Sequence, residues 1–282
     1  MKYLIVSADD FGFSKDINAG IVKAYKEGIV THLNLMPAGA AFDDALELSS
    51  RMKLEEAGAH LSLTEEMIPL TKPHRIETLV REDNKFHRSH RSFFANLLLR
   101  NIDVPHVYRE LKNQMETLKA SGIRLTCLSS HEHIHMAPAM LRIFVRLAKE
   151  YGIPSIRCLC SDMRSGPFSV KKFCKKALAS YFEKGMTDIL KGSDVVYADN
   201  FLGFIESGEI NEETLLAMLN NLREGVTELA CHPGFLSPEL LNKGAFHLNC
   251  ETELAALTSR RVKMLIKKKE IRLITYGEFL KK

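Results

Sequence analysis

Residues 3–12 read Tyr3-Leu-Ile-Val-Ser-Ala-Asp-Asp-Phe-Gly12, and this stretch decides the fold. Tyr3 to Ala8 is a short, β-rich apolar run of the kind a buried strand needs, and Asp9-Asp10-Phe11-Gly12 brings it to a stop. Ser14 can cap a helix. Ile17, Ile21, Ala24 and Tyr25 then recur at helical spacing, and Gly28 is placed to end that helix. Ile29 to Met36 reads as the next strand, completing a β-α-β unit. Two adjacent carboxylates therefore sit at the C-terminal end of the first strand.

The alternation continues outward from this unit. Helices are expected over Phe42–Met52, His106–Ser121 between Pro105 and Gly122, Pro138–Gly152, Val170–Phe182 and Glu212–Leu222. Strands are expected at Ala57–Leu63, Leu125–Ser129, Ser155–Leu159, Val195–Ala198 and Thr227–Cys231, before a last helix and strand ending near Thr275. Strands that alternate with helices imply a parallel sheet. The number of repeats, without a mid-chain linker, favours a closed or nearly closed barrel over an open doubly wound sheet. Glu65–Ser92, with Pro69 and Pro73, and Cys160–Pro167 break the rhythm and read as long loops.

Composition narrows the class. The chain has 282 residues, 45% hydrophobic and 26% charged, as ordinary globular proteins do. A barrel of about 250 residues is common as one unit, so residues 1–282 are expected to form a single domain. A net charge of +4 is too small to announce a nucleic-acid partner. No stretch approaches the ~20 apolar residues of a membrane-spanning helix, and neither a signal peptide nor an anchor is expected. The six cysteines are dispersed, which points to a reducing, cytoplasmic setting. Cys158-Leu-Cys160 reads as buried thiols rather than a metal site. Dinucleotide, P-loop and serine-hydrolase elbow patterns do not occur.

Four polar clusters fall at or just beyond expected strand ends: Asp9-Asp10, His60, His131-Glu-His-Ile-His135 and Cys231-His232-Pro-Gly-Phe235. In parallel α/β folds those ends converge on one rim, where active sites lie. A carboxylate and two imidazoles make a sufficient first shell for a catalytic divalent metal, and a further acid and imidazole would move protons. Taken singly, each cluster has a plain structural reading. Asp9-Asp10 could be turn residues, His60 a hydrogen-bonded core histidine, and His232-Pro233 ordinary turn chemistry. His131, His133 and His135, at alternate positions of an extended segment, would point to one face. Joint occurrence at four strand ends favours a site.

The residues also carry a family resemblance. Leu4-Ile-Val-Ser-Ala-Asp-Asp-Phe-Gly12, Asn18-x-Gly20-Ile21, Gly28-Ile-Val-Thr31, Gly58-x-His60-Leu61, Ser130-His-Glu-His-Ile-His135 and Glu228-Leu-Ala-Cys-His-Pro-Gly234 resemble the successive motifs of the YdjC-like (ChbG-type) carbohydrate deacetylases. Tyr197-Ala-Asp-Asn-Phe-Leu-Gly-Phe204, with Glu206-Ser-Gly208, is similar to the hopanoid-biosynthesis-associated branch. The resemblance implies an irregular (β/α) barrel of the NodB-like, glycoside hydrolase-deacetylase type, with parallel strands and outer helices. It implies metal-dependent removal of an N-acetyl group from an amino sugar, releasing acetate.

By the same resemblance Asp10, His60 and His131 are metal ligands, Asp9 is the catalytic base and His232 the acid. His133 and His135 are expected near the substrate. Ser129 departs from the pattern, since many relatives carry Asp two residues before the first histidine of this run. Magnesium is the expected metal, with zinc and manganese as alternatives. The expected partner is a small carbohydrate or glycolipid, and a homo-oligomer is allowed. Competing readings are a metal-dependent phosphoesterase and a non-catalytic sugar- or metal-binding protein. In the segment 170–181, Val170, Phe173, Cys174, Ala177, Leu178 and Tyr181 share one helical face with lysines elsewhere. That helix is expected to pack its apolar face on the sheet, the alternative being peripheral contact with an anionic membrane.

Overall fold

The structure is a computed structural model and describes residues 1–160, 170–238, 240 and 246–282. The expected loop over Cys160–Pro167 lies, beyond Cys160, outside the described residues. Strands are β1 (Lys2–Phe11), β2 (His32–Leu35), β3 (Glu56–Leu61), β4 (Arg124–Ser130), β5 (Asn200–Leu202), β6 (Gly225–Cys231) and β7 (Arg272–Leu273). They form one sheet in the order β4-β3-β2-β1-β6-β5, all neighbours parallel, with β7 beside the start of β1. Central β1 is buried from Leu4 onward, which is why it reads as an unbroken apolar run.

The edge strands β4 and β5 are joined through residues 154–160. Leu128 N–H donates to Ser155 O, Arg157 N–H to Leu128 O, Ile156 N–H to Val196 O and Phe201 N–H to Cys160 O, at 2.9–3.1 Å. The strands expected at Ser155–Leu159 and Val195–Ala198 are thus single bridges rather than ladders, and the regular strand falls later, at Asn200–Leu202. This is the irregular barrel that the sequence leads one to expect.

Helices cover the outside: α1 (Lys15–Glu27), α2 (Phe42–Met52), α3 (His90–Leu98), α4 (Val104–Ala120), α5 (Pro138–Tyr151), α6 (Val170–Lys191), α7 (Glu212–Asn220), α8 (Cys250–Thr258), α9 (Arg260–Lys268) and α10 (Tyr276–Phe279). Ser14 accepts from Ile17 N–H and starts α1, whose Ile17, Ile21 and Ala24 are buried. The expected long loop hides the start of α3, where Ser89 and Ser92 form a capping box. The expected last helix is two, because Ser259 ends α8 and caps α9.

Helix α6 corrects the packing expectation. Its outward face carries Val170 (71% exposed), Phe173 (59%), Leu178 (48%) and Tyr181 (78%). Ala179, Met186 and Leu190 are buried instead, together with Lys172. The helix runs on to Lys191, and only over its full length does the second apolar stripe, the one that packs, become visible.

Candidate metal centre and its proton-transfer flanks

The site is assembled at the C-terminal ends of β1, β3, β4 and β6. Asp10 has φ 66°, at a register break between Ala8 and Phe11 against β2. Aspartate tolerates this left-handed conformation better than most residues. The turn beyond is fixed by Asn18, whose Oδ1 accepts from Gly12 N–H at 2.7 Å while its Nδ2 donates to Ala41 O and Asp44 Oδ2. Gly20 serves a different end. A Cβ there would lie 2.3 Å from the Cα of Gly234, so only glycine lets α1 meet the His232-Pro-Gly turn.

Asp10, His60 and His131, all buried, offer three ligand atoms within 4.8 Å of one another. Asp10 Oδ1 lies 2.8 Å from His131 Nδ1 and 3.3 Å from His60 Nε2. His60 Nδ1 is 2.8 Å from Ser129 Oγ, which itself donates to Ala59 O. With Ser129 holding Nδ1, Nε2 is the ring nitrogen turned toward the Asp10 carboxylate. The donor set fits a divalent metal with three protein ligands and open positions. Ser129 thus meets His60 with a neutral hydroxyl. Burial works against charge on His131, but the Asp10 and Glu65 carboxylates outweigh it and raise its pKa well above the ordinary value.

Asp9 lies beside the triad. Arg157 donates through both terminal nitrogens, to Oδ2 at 2.6 Å and Oδ1 at 2.8 Å, and Asn34 Nδ2 donates to Oδ1 at 2.6 Å. A Cβ at residue 58 would fall 1.7 Å from Asn34 Oδ1, so Gly58 of the Gly58-x-His60 motif makes room for the amide that holds Asp9. Burial alone would push the Asp9 pKa up; the Arg157 guanidinium reverses this and holds it far below the usual carboxylate range. Arg157 also bonds Glu228, which accepts from Tyr276 OH at 2.7 Å.

His232 Nε2 stands 3.9 Å from Asp9 Oδ2. Its backbone N–H donates to Glu253 Oε2 at 2.5 Å, and its Nδ1 lies 3.7 Å from the same oxygen. Burial disfavours the imidazolium, but Glu253 together with Asp10 and Asp9 raises the His232 pKa above its ordinary value.

The run 131–136 is not extended. It is a 3₁₀ turn in which Glu132 (φ 49°) and His133 (φ 52°) are left-handed, so the three histidines part. His133 turns edge-on to Phe204 and Phe201, at 5.3 and 5.9 Å between centroids. His135 is buried, bonded to Ser130 Oγ at 2.5 Å, and burial pushes its pKa down to about 3. Glu132 accepts from His90 N–H and so caps α3.

A cavity of about 710 Å³, lined among others by Phe13, Gly39, Glu65, Met67, Ile68 and Arg88, opens beside His131. Phe13 stacks on that imidazole at 6.3 Å. A second cavity of about 760 Å³, between α4 and α5, contains none of these site residues.

Arg157 and Glu228 were legible in principle, since each is a charge in the middle of an expected buried strand. Glu65 and Glu253 sit in a loop and a helix and carry no such signal.

Among curated proteins, the chain is 30% identical over 277 residues to a carbohydrate deacetylase of Thermoanaerobacter pseudethanolicus, covering 98% of this chain and 99% of that one. It is 29% identical to a carbohydrate deacetylase of Brevibacillus brevis, covering 98% of each. Among solved structures, a protein of Enterococcus faecalis V583 named for cellobiose-phosphate cleavage superposes with a TM-score of 0.79 at 28% identity, covering 99% of this chain and 98% of that one. The family model for YdjC-like protein matches residues 3–268, and the chain belongs to the YdjC-like family.

Proposed function

We propose that this chain is a metal-dependent carbohydrate deacetylase that hydrolyses the N-acetyl group of an amino sugar, as one barrel domain. The observation that carries the proposal is Asp9, whose pKa is held low, standing 3.9 Å from His232, whose pKa is raised, beside a buried Asp10/His60/His131 triad. The deacetylase names of relatives matched over nearly the whole chain support it.

An amide resists water because its carbonyl is a poor electrophile, water a weak nucleophile and the amine a poor leaving group. Asp10, His60 and His131 would hold a divalent ion, which would supply Lewis acidity toward the acetyl carbonyl and lower the pKa of water. Asp9 Oδ2 takes the proton that the attacking water gives up, while Arg157 and Asn34 keep that carboxylate aimed. His232 delivers its proton from Nε2 to the sugar nitrogen as the C–N bond breaks, leaving acetate and a free amine. His133, half-buried and edge-on to the half-buried Phe204, is the imidazole placed to meet the sugar, and His135 holds the turn behind it. Magnesium is the ion we propose; two imidazoles also suit zinc, and a water-completed shell suits manganese.

The outward face of α6 favours a lipid-linked sugar reached by peripheral contact with a membrane. Phe173 and Tyr181 point outward on a helix that also exposes Lys176 and Lys184, while Lys172 and Lys175 turn inward to Glu209 and to the Phe204 and Ile205 carbonyls. No described helix is long and apolar enough to cross a membrane. Five buried cysteines and one exposed one, all free, accord with the cytoplasmic setting we assign.

The test is acetate release by metal-stripped protein from mono-, di- and lipid-linked N-acetylglucosamine, with magnesium, manganese or zinc restored. Metal-dependent release that disappears in Asp9→Asn at normal metal content is expected. Activity retained by that variant rejects Asp9 as the base. Because the Enterococcus relative is named for cellobiose-phosphate cleavage, phosphate release from sugar phosphates is measured alongside. Phosphate release without acetate replaces the proposal with the phosphoesterase reading, and sugar binding without turnover replaces it with the binding one.

A further inference from the structure

We propose that Glu65, to which neither motif nor family resemblance assigns a role, is the positioning residue for the metal ligand His131. The proposal rests on the metal reading above. Glu65 lies in the loop after β3, four residues beyond Leu61. Its Oε2 is 3.1 Å from His131 Nε2, on the far side of the ring from Asp10, which faces Nδ1 at 2.8 Å. The ligand-atom cluster among the described residues comprises Asp10, His60 and His131 without Glu65. Glu65 therefore acts through the imidazole and not as a ligand itself.

The backbone is shaped to deliver this contact. Glu65 and Glu66 are consecutive non-glycine residues in the left-handed region, at φ 58° and 55°. Such a pair is unfavourable for L side chains, and it persists because neighbours fix it. Met67 O accepts from Phe86 N–H at 3.0 Å, and Glu66 N–H bonds His87 O at 3.4 Å. The two glutamates are thereby sent to different places. Glu66 goes outward to Arg81 and Arg88, and Glu65 inward to the imidazole.

A carboxylate on the remote nitrogen of a metal-binding histidine fixes the tautomer, holds the ring plane and makes the ligating nitrogen more basic. Here the two imidazoles are supported unequally. His60 leans on the neutral Ser129 hydroxyl, and His131 on the charged Glu65. The other side of Glu65 lines the 710 Å³ cavity, so the residue joins the metal centre to the space where a ligand would enter.

The experiment measures divalent-metal Kd by chelator competition on the full chain, for wild type, Glu65→Gln, Glu65→Asp and the neighbouring control Glu66→Gln. The melting temperature of each metal-free protein is read in parallel. Glu65→Gln is expected to weaken metal binding roughly 10–100-fold, the usual effect of removing an outer-shell partner. Glu65→Asp should recover part of that loss, Glu66→Gln should match wild type, and the metal-free melting temperatures should coincide. A Glu65→Gln Kd within about twofold of wild type overturns the proposal. So does a weakened Kd accompanied by an equal loss of metal-free stability with no recovery in Glu65→Asp, because the role would then be structural. If wild type itself takes up no divalent ion, the metal reading fails, and the Glu65 proposal with it.

Discussion

Asp9 and His232 are near neighbours whose surroundings push their proton affinities in opposite directions. Arg157 keeps Asp9 ionised at any working pH, while Glu253 favours the proton on His232. Titratable groups driven apart in this way divide into base and acid. The sign of the pH dependence follows. An acid must carry its proton, so turnover falls as pH rises through the elevated His232 pKa. Glu253→Gln removes the carboxylate that raises it and is expected to move the alkaline limb of kcat to lower pH; an unmoved limb rejects the Glu253–His232 pair. His232→Gln should lower kcat by roughly 10²–10⁴-fold, the range of a lost general acid. At this scale the sequence was informative where polar residues interrupt apolar runs at strand ends, as with Asp9, Asp10, His60, His131 and His232. Glu253 shows the limit, because a glutamate on a surface-spaced helix looks like any solvated charge until tertiary packing buries it.

Elements were legible where hydrophobic period and caps agreed. β1, α1 and α2 follow their signals closely because Ser14, the apolar stripe and the strand run all point the same way. Elements held by tertiary contacts escaped. The start of α3 depends on Glu132, reaching from residue 132 to cap it, and the 154–160 stave depends on single bridges to β4 and residue 196. The face of α6 was readable as apolar, but which of its two apolar stripes packs is decided by Ala179, Met186 and Leu190 meeting the body of the protein. Its outward stripe carries a prediction. Phosphatidylglycerol vesicles should co-sediment the protein, zwitterionic vesicles should not, and salt should weaken the attraction because exposed charges are screened. The double substitution Phe173→Asp with Tyr181→Asp should abolish sedimentation and leave acetate release from a soluble sugar intact. Absence of sedimentation with anionic vesicles rejects the membrane contact.

For the whole molecule, the site is where separate strands of the barrel are drawn together at one rim, so its charge balance bears on stability. Asp9, Asp10, Glu228 and Glu253 are buried, and the Arg157 guanidinium pairs with two of them, Asp9 and Glu228. Buried charges are stable when paired or coordinated, and the surrounding carboxylates raise the pKa values of His131 and His232. A cation that binds the native rim and not the unfolded chain stabilises by mass action, about 2.7 kcal/mol at one hundred times Kd. For a chain of this size that corresponds to a rise of about 5 °C in melting temperature. Magnesium, manganese and zinc should each be titrated into metal-stripped protein, and the ion giving the rise at the lowest concentration is the one the site prefers. The gain should shrink as pH falls. His131 holds a proton below its raised pKa, and the metal must displace that proton to bind, so the same concentration of ion fills less of the site. Asp10→Asn should erase the gain at every pH while the barrel still melts cooperatively. A rise that persists in Asp10→Asn would mean that the ion binds elsewhere, and the Asp10/His60/His131 assignment would fall.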